Sequence, residues 1–288
     1  MHRIGFIGTE NSHTDHFIRF LNTEGRHPGL RAAALAGGRN QRNETLAQQG
    51  DVGLVVDRPE DLLGQVDAAI ISSRDGARHR GEAEPLLRAG MPVLVDKPLA
   101  TSVRDAEAIL AAAQEGGAPL VSASALRFVP EVAELADPQD RGDLRALHIV
   151  GPADPDSEYS GLFFYGVHHV ETALELLGNP AVEPGSVTVT ARRDGDTVTA
   201  LLRIGHVDVH LTFITPDGDT RVPFFALAVG TSGVVARELT LGPDYNAPAL
   251  ERFAVAVESG TTPMDAAQLL SPVVVMTAIT EALGKDHR

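Results

Sequence analysis

The chain has 288 residues, a formal net charge of −15, and neither cysteine nor tryptophan. Without thiols it can form no disulfide, no Cys-ligated metal site and no cysteine nucleophile, and its acidity predicts that it binds neither nucleic acid nor an anionic membrane surface. The length predicts about two domains, and 43% hydrophobic with 22% charged residues is an ordinary globular composition.

Targeting segments are also not expected. The N-terminal residues enter an apolar strand pattern directly and lack the charged region, apolar region and cleavage site of a signal peptide. No apolar run is expected to reach the ~20 residues that span a bilayer. We therefore expect a cytoplasmic protein without a membrane-spanning segment.

Strands and helices alternate at short spacing through the first 122 residues. Short apolar runs predict strands at 4–8, 30–36, 52–56, 66–71, 93–95 and 119–122. Amphipathic or capped segments predict helices at 12–24, 40–49, 59–61, 77–89 and 102–115. This alternation predicts βαβ units around a parallel sheet, an α/β domain at 1–122.

The pattern changes in the second half, which we expect to form an α+β domain at 123–288. Alternating apolar and polar residues predict strands at 144–150, 187–190, 198–204, 207–214 and 224–230. Helices are predicted at 165–177, 247–258 and 264–283. Such strands are typical of a mostly antiparallel sheet with one solvated face.

The segment Asp96-Lys97-Pro98 directly follows the fifth predicted strand. Ligands bind beyond the carboxyl ends of the strands in parallel sheets, so Lys97 is placed where a functional lysine would lie. Pro98 restricts the backbone beside it. A surface turn with a solvated lysine explains the segment about equally well when it is taken alone.

Several further segments occur in a specific order along the chain. With the Lys97 turn, their order and spacing resemble those of the Gfo/Idh/MocA oxidoreductase family over essentially the whole chain. The segments are His79 after the fourth strand, Arg127-Phe128-Val129-Pro130, Gly142-Asp143-Leu144, and the helix start Gly166-Val167-His168.

The resemblance implies a Rossmann-like dinucleotide-binding domain followed by a substrate domain whose large sheet forms homo-oligomer contacts. It also implies hydride transfer between NAD(P) and a sugar, cyclitol or related small molecule. Lys97 would be the catalytic lysine, assisting proton transfer at the reacting oxygen. His168 would act on the same hydroxyl or orient it, a task that suits a side chain whose ordinary pKa lies near neutrality.

The dinucleotide fingerprint departs from the family. Its three glycines fall on residues 8, 10 and 13, where the chain has Gly8, Glu10 and His13. A carboxylate beside a pyrophosphate is repulsive unless it points away, although N–H groups at the following helix start favour an anion. The predicted cofactor-binding residues are Gly8, Thr9, Asn11, Ser12, His13, Arg39, Arg42, Ser72, His79, Asp96 and Lys97.

The end of the second strand bears on the choice of cofactor. No acidic residue occupies the usual ribose-binding position after Ala36. Arg39 and Arg42 are instead suited to the 2′-phosphate of NADP. We expect NADP(H) rather than NAD(H), although two ordinary surface arginines at a helix start would give the same pattern.

The catalytic pattern departs as well. Phe164 stands where many family members have an aspartate, and Tyr165 offers a hydroxyl in its place. The predicted catalytic residues are therefore Lys97, His168 and Tyr165. The predicted substrate-binding residues are Arg127, His169 and Glu171. The spacing of His168 and Glu171 also permits a shared metal ion, but without a third ligand we predict no metal.

The sequence thus favours an NADP(H)-dependent oxidoreductase acting on a small hydroxy or carbonyl compound such as a sugar derivative. Two alternatives stay open. The same fold with a repurposed nucleotide site predicts a cofactor-independent lyase, isomerase or cyclase. A non-catalytic binding protein would need neither Lys97 nor His168.

Overall fold

A computed structural model describes residues 1–218 and 220–286 of the chain, the side chain of residue 286 excepted. The chain folds into two compact units. Unit 1 comprises Met1–Ala100, Arg104–Ala123 and Asn246–Asp265. Unit 2 comprises Thr101–Val103, Ser124–Tyr245 and the described residues from Ala266 onward.

The regular elements follow the predicted order closely. The helices are α1 (Ser12–Ile18), α2 (Asn40–Gly50), α3 (His79–Arg88), α4 (Val103–Gly116), α5 (Pro130–Ala136), α6 (Phe163–Leu176), α7 (Ala247–Ser259) and α8 (Ala266–Asp286). Single turns of other helix types lie at Arg19–Thr23, Pro59–Leu62, Gly76–Arg78 and Ala125–Phe128.

The strands alternate with these helices in the first part of the chain and follow one another in the second. They are β1 (His2–Ile7), β2 (Leu30–Ala36), β3 (Leu54–Val56), β4 (Ala68–Ile71), β5 (Val93–Val95), β6 (Leu120–Val121), β7 (Leu144–Pro152), β8 (Val189–Asp194), β9 (Thr197–Ile204), β10 (Val207–Ile214), β11 (Phe224–Gly230) and β12 (Val234–Leu239).

Unit 1 is built on a six-stranded parallel sheet with the order β3-β2-β1-β4-β5-β6. This is the doubly wound order of Rossmann folds, in which the chain direction along the sheet reverses between β1 and β4. The central strands are buried because helices cover both faces, so their sequences are continuous apolar runs. The predicted α/β class is confirmed for this unit.

Helix α7 completes the core of unit 1. Leu250 and Phe253 are fully buried in the same apolar cluster as Phe6 and Phe17 of the first βα segment, and α7 contacts β6. The domain division at 1–122 and 123–288 stays a prediction. Helix α7 lies in the second of these ranges but belongs to unit 1, because its apolar face completes the core of that unit.

The first helix, α1, is capped by the residue before Ser12. Asn11, not Ser12, is the N-cap residue, and its side-chain oxygen accepts the N–H of His13 at 3.0 Å. Asp15, in the first turn of the helix, is ion-paired with Arg42. The helical segment then continues through the wider turn Arg19–Thr23.

Unit 2 is built on a second six-stranded sheet with the order β12-β11-β7-β10-β9-β8. All neighbouring strands are antiparallel except β7 and β10, which run parallel. The predicted mostly antiparallel sheet is confirmed, but α5 and β12 were not predicted.

Helices α6 and α8 pack against one another within unit 2. Gly166 allows this close approach, because a Cβ at its position would lie 3.1–3.3 Å from Leu162, Met276 and Phe213. The expectation about membrane-spanning segments needs correction, since α8 is long and apolar enough to cross a bilayer. Its buried residues, such as Val273, Met276 and Ile279, are those of a core helix.

His169 is part of the core of unit 2. Its ring is fully buried, 4.6 Å from the ring of Phe213 and 5.3 Å from that of Phe224 between centroids. Burial lowers the pKa of His169 to about 4, against partial compensation from nearby backbone groups. His169 has no exposed surface through which to contact the substrate expected from the sequence, and we assign it to the core instead.

We predict that His169 makes stability depend on pH. Between its usual pKa of 6.5 and about 4, the unfolded chain binds a proton at this ring that the folded chain excludes. The free energy of unfolding therefore falls as pH falls through this window, by on the order of 3 kcal/mol in total. Urea denaturation at several pH values measures this slope.

The matched variants are His169→Gln, which removes the titrating ring, and His206→Gln, which removes an exposed histidine. His169→Gln is expected to flatten the pH dependence between 6.5 and about 4, and His206→Gln to leave it as in the wild type. Equal slopes in all three proteins would contradict the assignment.

Candidate functional site

The carboxyl ends of β1 and β4 lie side by side in unit 1, at the switch point where dinucleotides bind in doubly wound sheets. Gly8 follows β1 with φ of 80°, and a Cβ there would lie 2.0 Å from the backbone nitrogen of Ser73. A side chain at this position would therefore collide with the segment after β4. Gly8 is retained because the two strand ends meet so closely.

The side chains predicted to hold a cofactor in this loop instead hold the loop together. Asn11 donates from Nδ2 to the Ser72 carbonyl oxygen at 2.9 Å, and the hydroxyls of Thr14 and Ser72 are 2.7 Å apart. Thr9, Asn11 and Ser72 are all buried, whereas Ser12 is exposed. Asn11 and Ser72 shape the loop, the buried Thr9 hydroxyl has no hydrogen-bond partner within the described residues, and of these four residues Ser12 has its side chain at the surface.

Glu10, at the second glycine position, is paired within unit 1. Its carboxylate accepts the Arg74 N–H at 3.4 Å and lies 3.6 Å from the Arg78 guanidinium. Arg78 also lies 2.7 Å from Glu82, which is buried and accepts from the Ser73 hydroxyl at 2.7 Å. Burial raises the pKa of Glu82. The negative charge of Glu10 is thus partly offset by Arg78.

His13, at the third glycine position, reaches the end of β5. Its Nδ1 lies 2.7 Å from Oδ2 of Asp96, a buried carboxylate. Burial alone would raise the pKa of Asp96, but the charge and hydrogen bond of His13 outweigh it and the pKa is lowered. In place of a glycine contact, a hydrogen bond joins the start of α1 to the end of β5.

Lys97 directly follows Asp96 in the chain. It is buried, and it is one of only two lysines in the chain, beside 22 arginines. A lysine retained where the chain elsewhere uses arginine points to ammonium chemistry, because lysine, unlike arginine, can exchange its proton. The structure places Lys97 just beyond the carboxyl end of a parallel strand, as the sequence predicts.

His79 positions the Lys97 turn. Its Nδ1 lies 2.7 Å from the carbonyl oxygen of Pro98, and its Nε2 lies 2.9 Å from that of Ser73. The ring is fully buried. Both ring nitrogens are occupied by backbone carbonyls, so we place His79 as a positioning residue rather than a direct cofactor contact.

The two arginines after β2 have different surroundings. Arg42 donates from Nε to the Thr9 carbonyl oxygen at 3.0 Å and is ion-paired with Asp15. Arg39 precedes α2 in an extended conformation and is exposed. Arg42 therefore supports the loop after β1, and Arg39 is the arginine with its side chain at the surface.

In unit 2, α6 places His168 next to Ser124. Nδ1 of His168 lies 2.6 Å from the Ser124 hydroxyl oxygen, which also accepts the Leu126 N–H at 3.1 Å. The Ser124 N–H donates to Oε2 of Glu171 at 2.7 Å. Ser124, His168 and Glu171 are all buried.

Arg127 and Glu171 form a buried ion pair beneath this histidine. The Arg127 Nε lies 2.7 Å from Oε2 of Glu171, and the two side chains are 2% and 4% exposed. A second contact joins Arg127 to Glu175 at 3.2 Å. Two of the three predicted substrate-binding residues, Arg127 and Glu171, are therefore engaged inside unit 2, where they fix the segment after Ser124 to α6.

Tyr165 lies one helical turn before His168 and is 40% exposed. Its ring meets the His168 ring edge-on at 5.4 Å between centroids. Phe164, in the place of the family aspartate, lies against Tyr159 at 4.9 Å. The side chains beside His168 are thus aromatic rather than carboxylate.

Ser124 is the residue that the sequence analysis missed. It follows β6 as Lys97 follows β5, so the rule that singled out Lys97 would also have found Ser124. Within residues 1–218 and 220–286, no group of three or more His, Asp or Glu side chains is arranged to hold a metal ion. The spacing of His168 and Glu171 is explained by the Ser124 and Arg127 contacts.

Comparison with known proteins agrees with this geometry. Residues 2–124 match the Gfo/Idh/MocA family model, described as an oxidoreductase family with an NAD-binding Rossmann fold. The chain is also 35% identical over 204 residues to inositol 2-dehydrogenase 2 of Saccharopolyspora erythraea, a match that covers 67% of this chain and 58% of that relative. The chain belongs to the Gfo/Idh/MocA family.

Solved structures extend the match in fold to the whole chain. GenD2 from gentamicin A biosynthesis, solved in complex with NAD, has a TM-score of 0.82 at 18% identity, covering 99% of this chain and 95% of GenD2. The 3-ketoreductase KijD10 of Actinomadura kijaniata, solved with TDP-benzene and NADP, has a TM-score of 0.76 at 22% identity, covering 98% and 97%. These similarities establish the two-domain fold of this family member.

We predict that Arg127 is essential to the stability of unit 2. Arg127→Leu leaves the Glu171 carboxylate buried without its cation, which costs about 3–5 kcal/mol of unfolding free energy. The control is Arg237→Leu, which removes an arginine from an exposed pair with Glu134 and costs less than about 1 kcal/mol. Chemical denaturation measures both, and equal losses would contradict the prediction.

Proposed function

We propose that this protein is an NAD(P)-dependent oxidoreductase that transfers a hydride to or from a sugar-like hydroxy or carbonyl compound. The observation that carries the proposal is the buried Lys97 at the carboxyl end of β5, in a chain of a family that binds NAD. A surface turn, the alternative left open by the sequence, would leave this lysine solvated.

The residues of unit 1 are compatible with a dinucleotide. Gly8 lets the loop after β1 pass close to the end of β4, as such sites require. Glu10 is held by Arg74 and Arg78, so its charge is partly compensated before any pyrophosphate approaches. Ser12 and Arg39 are exposed and offer donors.

The chemistry requires one hydride and one proton to leave a carbinol group, which becomes a carbonyl. When bound, the nicotinamide accepts that hydride, or donates it in the reverse direction. Lys97 in its amine form takes the hydroxyl proton, and its ammonium form returns the proton to the oxygen during reduction. Asp96 and His79 fix the turn that carries Lys97.

The substrate class follows from the relatives and from α6. The relative of 35% identity is named an inositol 2-dehydrogenase, so we propose a cyclitol or a related sugar. Because Tyr165 lies beside His168 and Phe164 beside Tyr165, in place of a carboxylate, we expect fewer polar contacts to the substrate. The match spans 58% of the length of that relative, and we propose the dehydrogenase activity for this chain on that basis.

We predict that Lys97→Met abolishes most of the turnover while preserving the fold. Loss of a group that transfers the proton lowers kcat by about 10²- to 10⁴-fold. The control is Lys285→Met, the other lysine of the chain. The measurement follows nicotinamide absorbance with a panel of inositols and sugars and both cofactors.

Two results would overturn the proposal. Turnover that continues after complete removal of nicotinamide would favour a lyase, isomerase or cyclase. An unchanged kcat in Lys97→Met would exclude Lys97 from the chemistry.

We also propose a preference for NADP(H), supported by Arg39 and by the absence of an acidic residue at the end of β2. Arg39→Ala is expected to weaken NADPH binding about tenfold, the loss of one charged hydrogen bond, and to leave NADH binding unchanged. Calorimetric titration measures both cofactors. Arg104→Ala, an exposed arginine of α4, is the matched control, and an equal effect on NADH would contradict the proposal.

Assembly into a homo-oligomer through the sheet of unit 2 is a further proposal. Leu201, Phe225 and Val234 are exposed on that sheet, and the strand register places them on one face. Apolar side chains exposed together on a sheet face are typical of a protein interface.

A further inference from the structure

Two hydrogen bonds, one to the side chain and one from the backbone, hold Ser124 in place. Its oxygen accepts the Leu126 N–H at 3.1 Å, and its own backbone N–H is held by Glu171 at 2.7 Å. Ser124 is fully buried. Among the residues described, the acceptor for the hydroxyl hydrogen is Nδ1 of His168, at 2.6 Å.

A buried hydroxyl that donates to no acceptor loses a hydrogen bond that water would have provided. If Nδ1 of a neutral His168 carried the proton, the Ser124 oxygen would accept from both Leu126 and His168. The Ser124 hydroxyl hydrogen would then have no acceptor. If Nε2 carries the proton, the Ser124 hydroxyl accepts from Leu126 and donates to Nδ1, so both groups are satisfied.

We propose that Ser124 holds neutral His168 in the tautomer with its proton on Nε2, so that His168 donates a hydrogen bond to the reacting oxygen and does not act as the base. This inference rests on the proposed oxidoreductase function for the identity of that oxygen. Ser124 is then a positioning residue, and its role is to determine which ring nitrogen is the donor.

The lone pairs of the imidazole ring explain why His168 in this tautomer cannot act as a base. In this tautomer the Nδ1 lone pair accepts from Ser124, and the Nε2 position is already protonated. Neither nitrogen can take a hydroxyl proton from a substrate. His168 would then neither gain nor lose a proton during the reaction, and its Nε2 would serve only as a hydrogen-bond donor.

The surroundings of His168 agree with a donor role. In the family, a carboxylate precedes the histidine, but here Phe164 and Tyr165 take that part of α6. Glu171, which accepts the Ser124 backbone N–H, is neutralised by Arg127, whose Nε lies 2.7 Å from its carboxylate. If His168 acted as a base, its ring would become a cation. Aromatic neighbours and a carboxylate already paired with Arg127 stabilise such a cation less than an unpaired carboxylate would.

The tautomer can be observed directly by two-dimensional ¹⁵N NMR of the histidine-labelled full-length protein near neutral pH, with the His168 signals assigned from His168→Gln. The wild type is expected to show a protonated Nε2 and an unprotonated, hydrogen-bonded Nδ1. Ser124→Ala is expected to shift the Nδ1 resonance toward that of a free lone pair, and Ser124→Thr to restore it. Ser271→Ala, a buried serine elsewhere in unit 2, is the control.

A protonated Nδ1 in the neutral wild type would overturn the inference, and so would an Nδ1 resonance that Ser124→Ala leaves unchanged. Neither readout depends on turnover, so failure of the proposed function is recognised separately by the absence of dinucleotide-dependent activity.

Activity then distinguishes a donor from a base. The carboxamide of His168→Gln keeps an N–H donor near the Nε2 position but cannot take a proton. If His168 only donates, kcat falls by less than about tenfold and keeps the pH profile of the wild type, and His168→Leu loses far more. If His168 is the base, both variants lose about 10²-fold or more, which would overturn the inference.

Discussion

The buried ion pair between Arg127 and Glu171 is the interaction on which the arrangement of unit 2 depends. Two charges taken out of water are tolerated only when their geometry compensates the loss of hydration. Here Glu171 meets that demand with two contacts: its Oε2 lies 2.7 Å from Nε of Arg127, and it accepts the Ser124 backbone N–H at 2.7 Å. Ser124 in turn holds His168. The position of one histidine is therefore set by charges that never reach the solvent.

In unit 1, contacts between polar side chains likewise hold the loop after β1. Two of the three fingerprint glycines are replaced, and each replacement has a polar partner: Arg78 lies 3.6 Å from Glu10, and Asp96 lies 2.7 Å from Nδ1 of His13. A family feature that usually depends on the absence of side chains is here maintained by paired side chains. We infer that the loop keeps its shape although two of its glycines are replaced, because Gly8, where a Cβ would lie 2.0 Å from the Ser73 backbone nitrogen, is still a glycine.

The fold could be predicted largely because apolar runs mark buried strands. β2 and β10 lie within the residues expected for them, since both are continuous or strictly alternating patterns. The strand β12 was missed because only part of it is buried. The parallel pair β7 and β10 could not have been predicted, since pairing depends on contacts distant in sequence.

The site could be predicted in position but not in orientation. Lys97 was expected at a strand end and is found there, and Gly8 is required as expected. Sequence does not show which way a side chain points, so His79 and Ser72 were expected to contact a cofactor although both are buried. Arg42 and Asn11 similarly support the loop from within. Polar residues near a ligand loop often build it rather than touch the ligand.

Binding of a nicotinamide dinucleotide by a chain with Glu10 in its fingerprint is the central claim. Calorimetric titration of the purified full-length protein with NADPH and with NADH tests it without knowledge of the substrate. The account predicts saturable binding at one site per chain with a micromolar or lower Kd, tighter for NADPH. Absence of binding for both cofactors would contradict it.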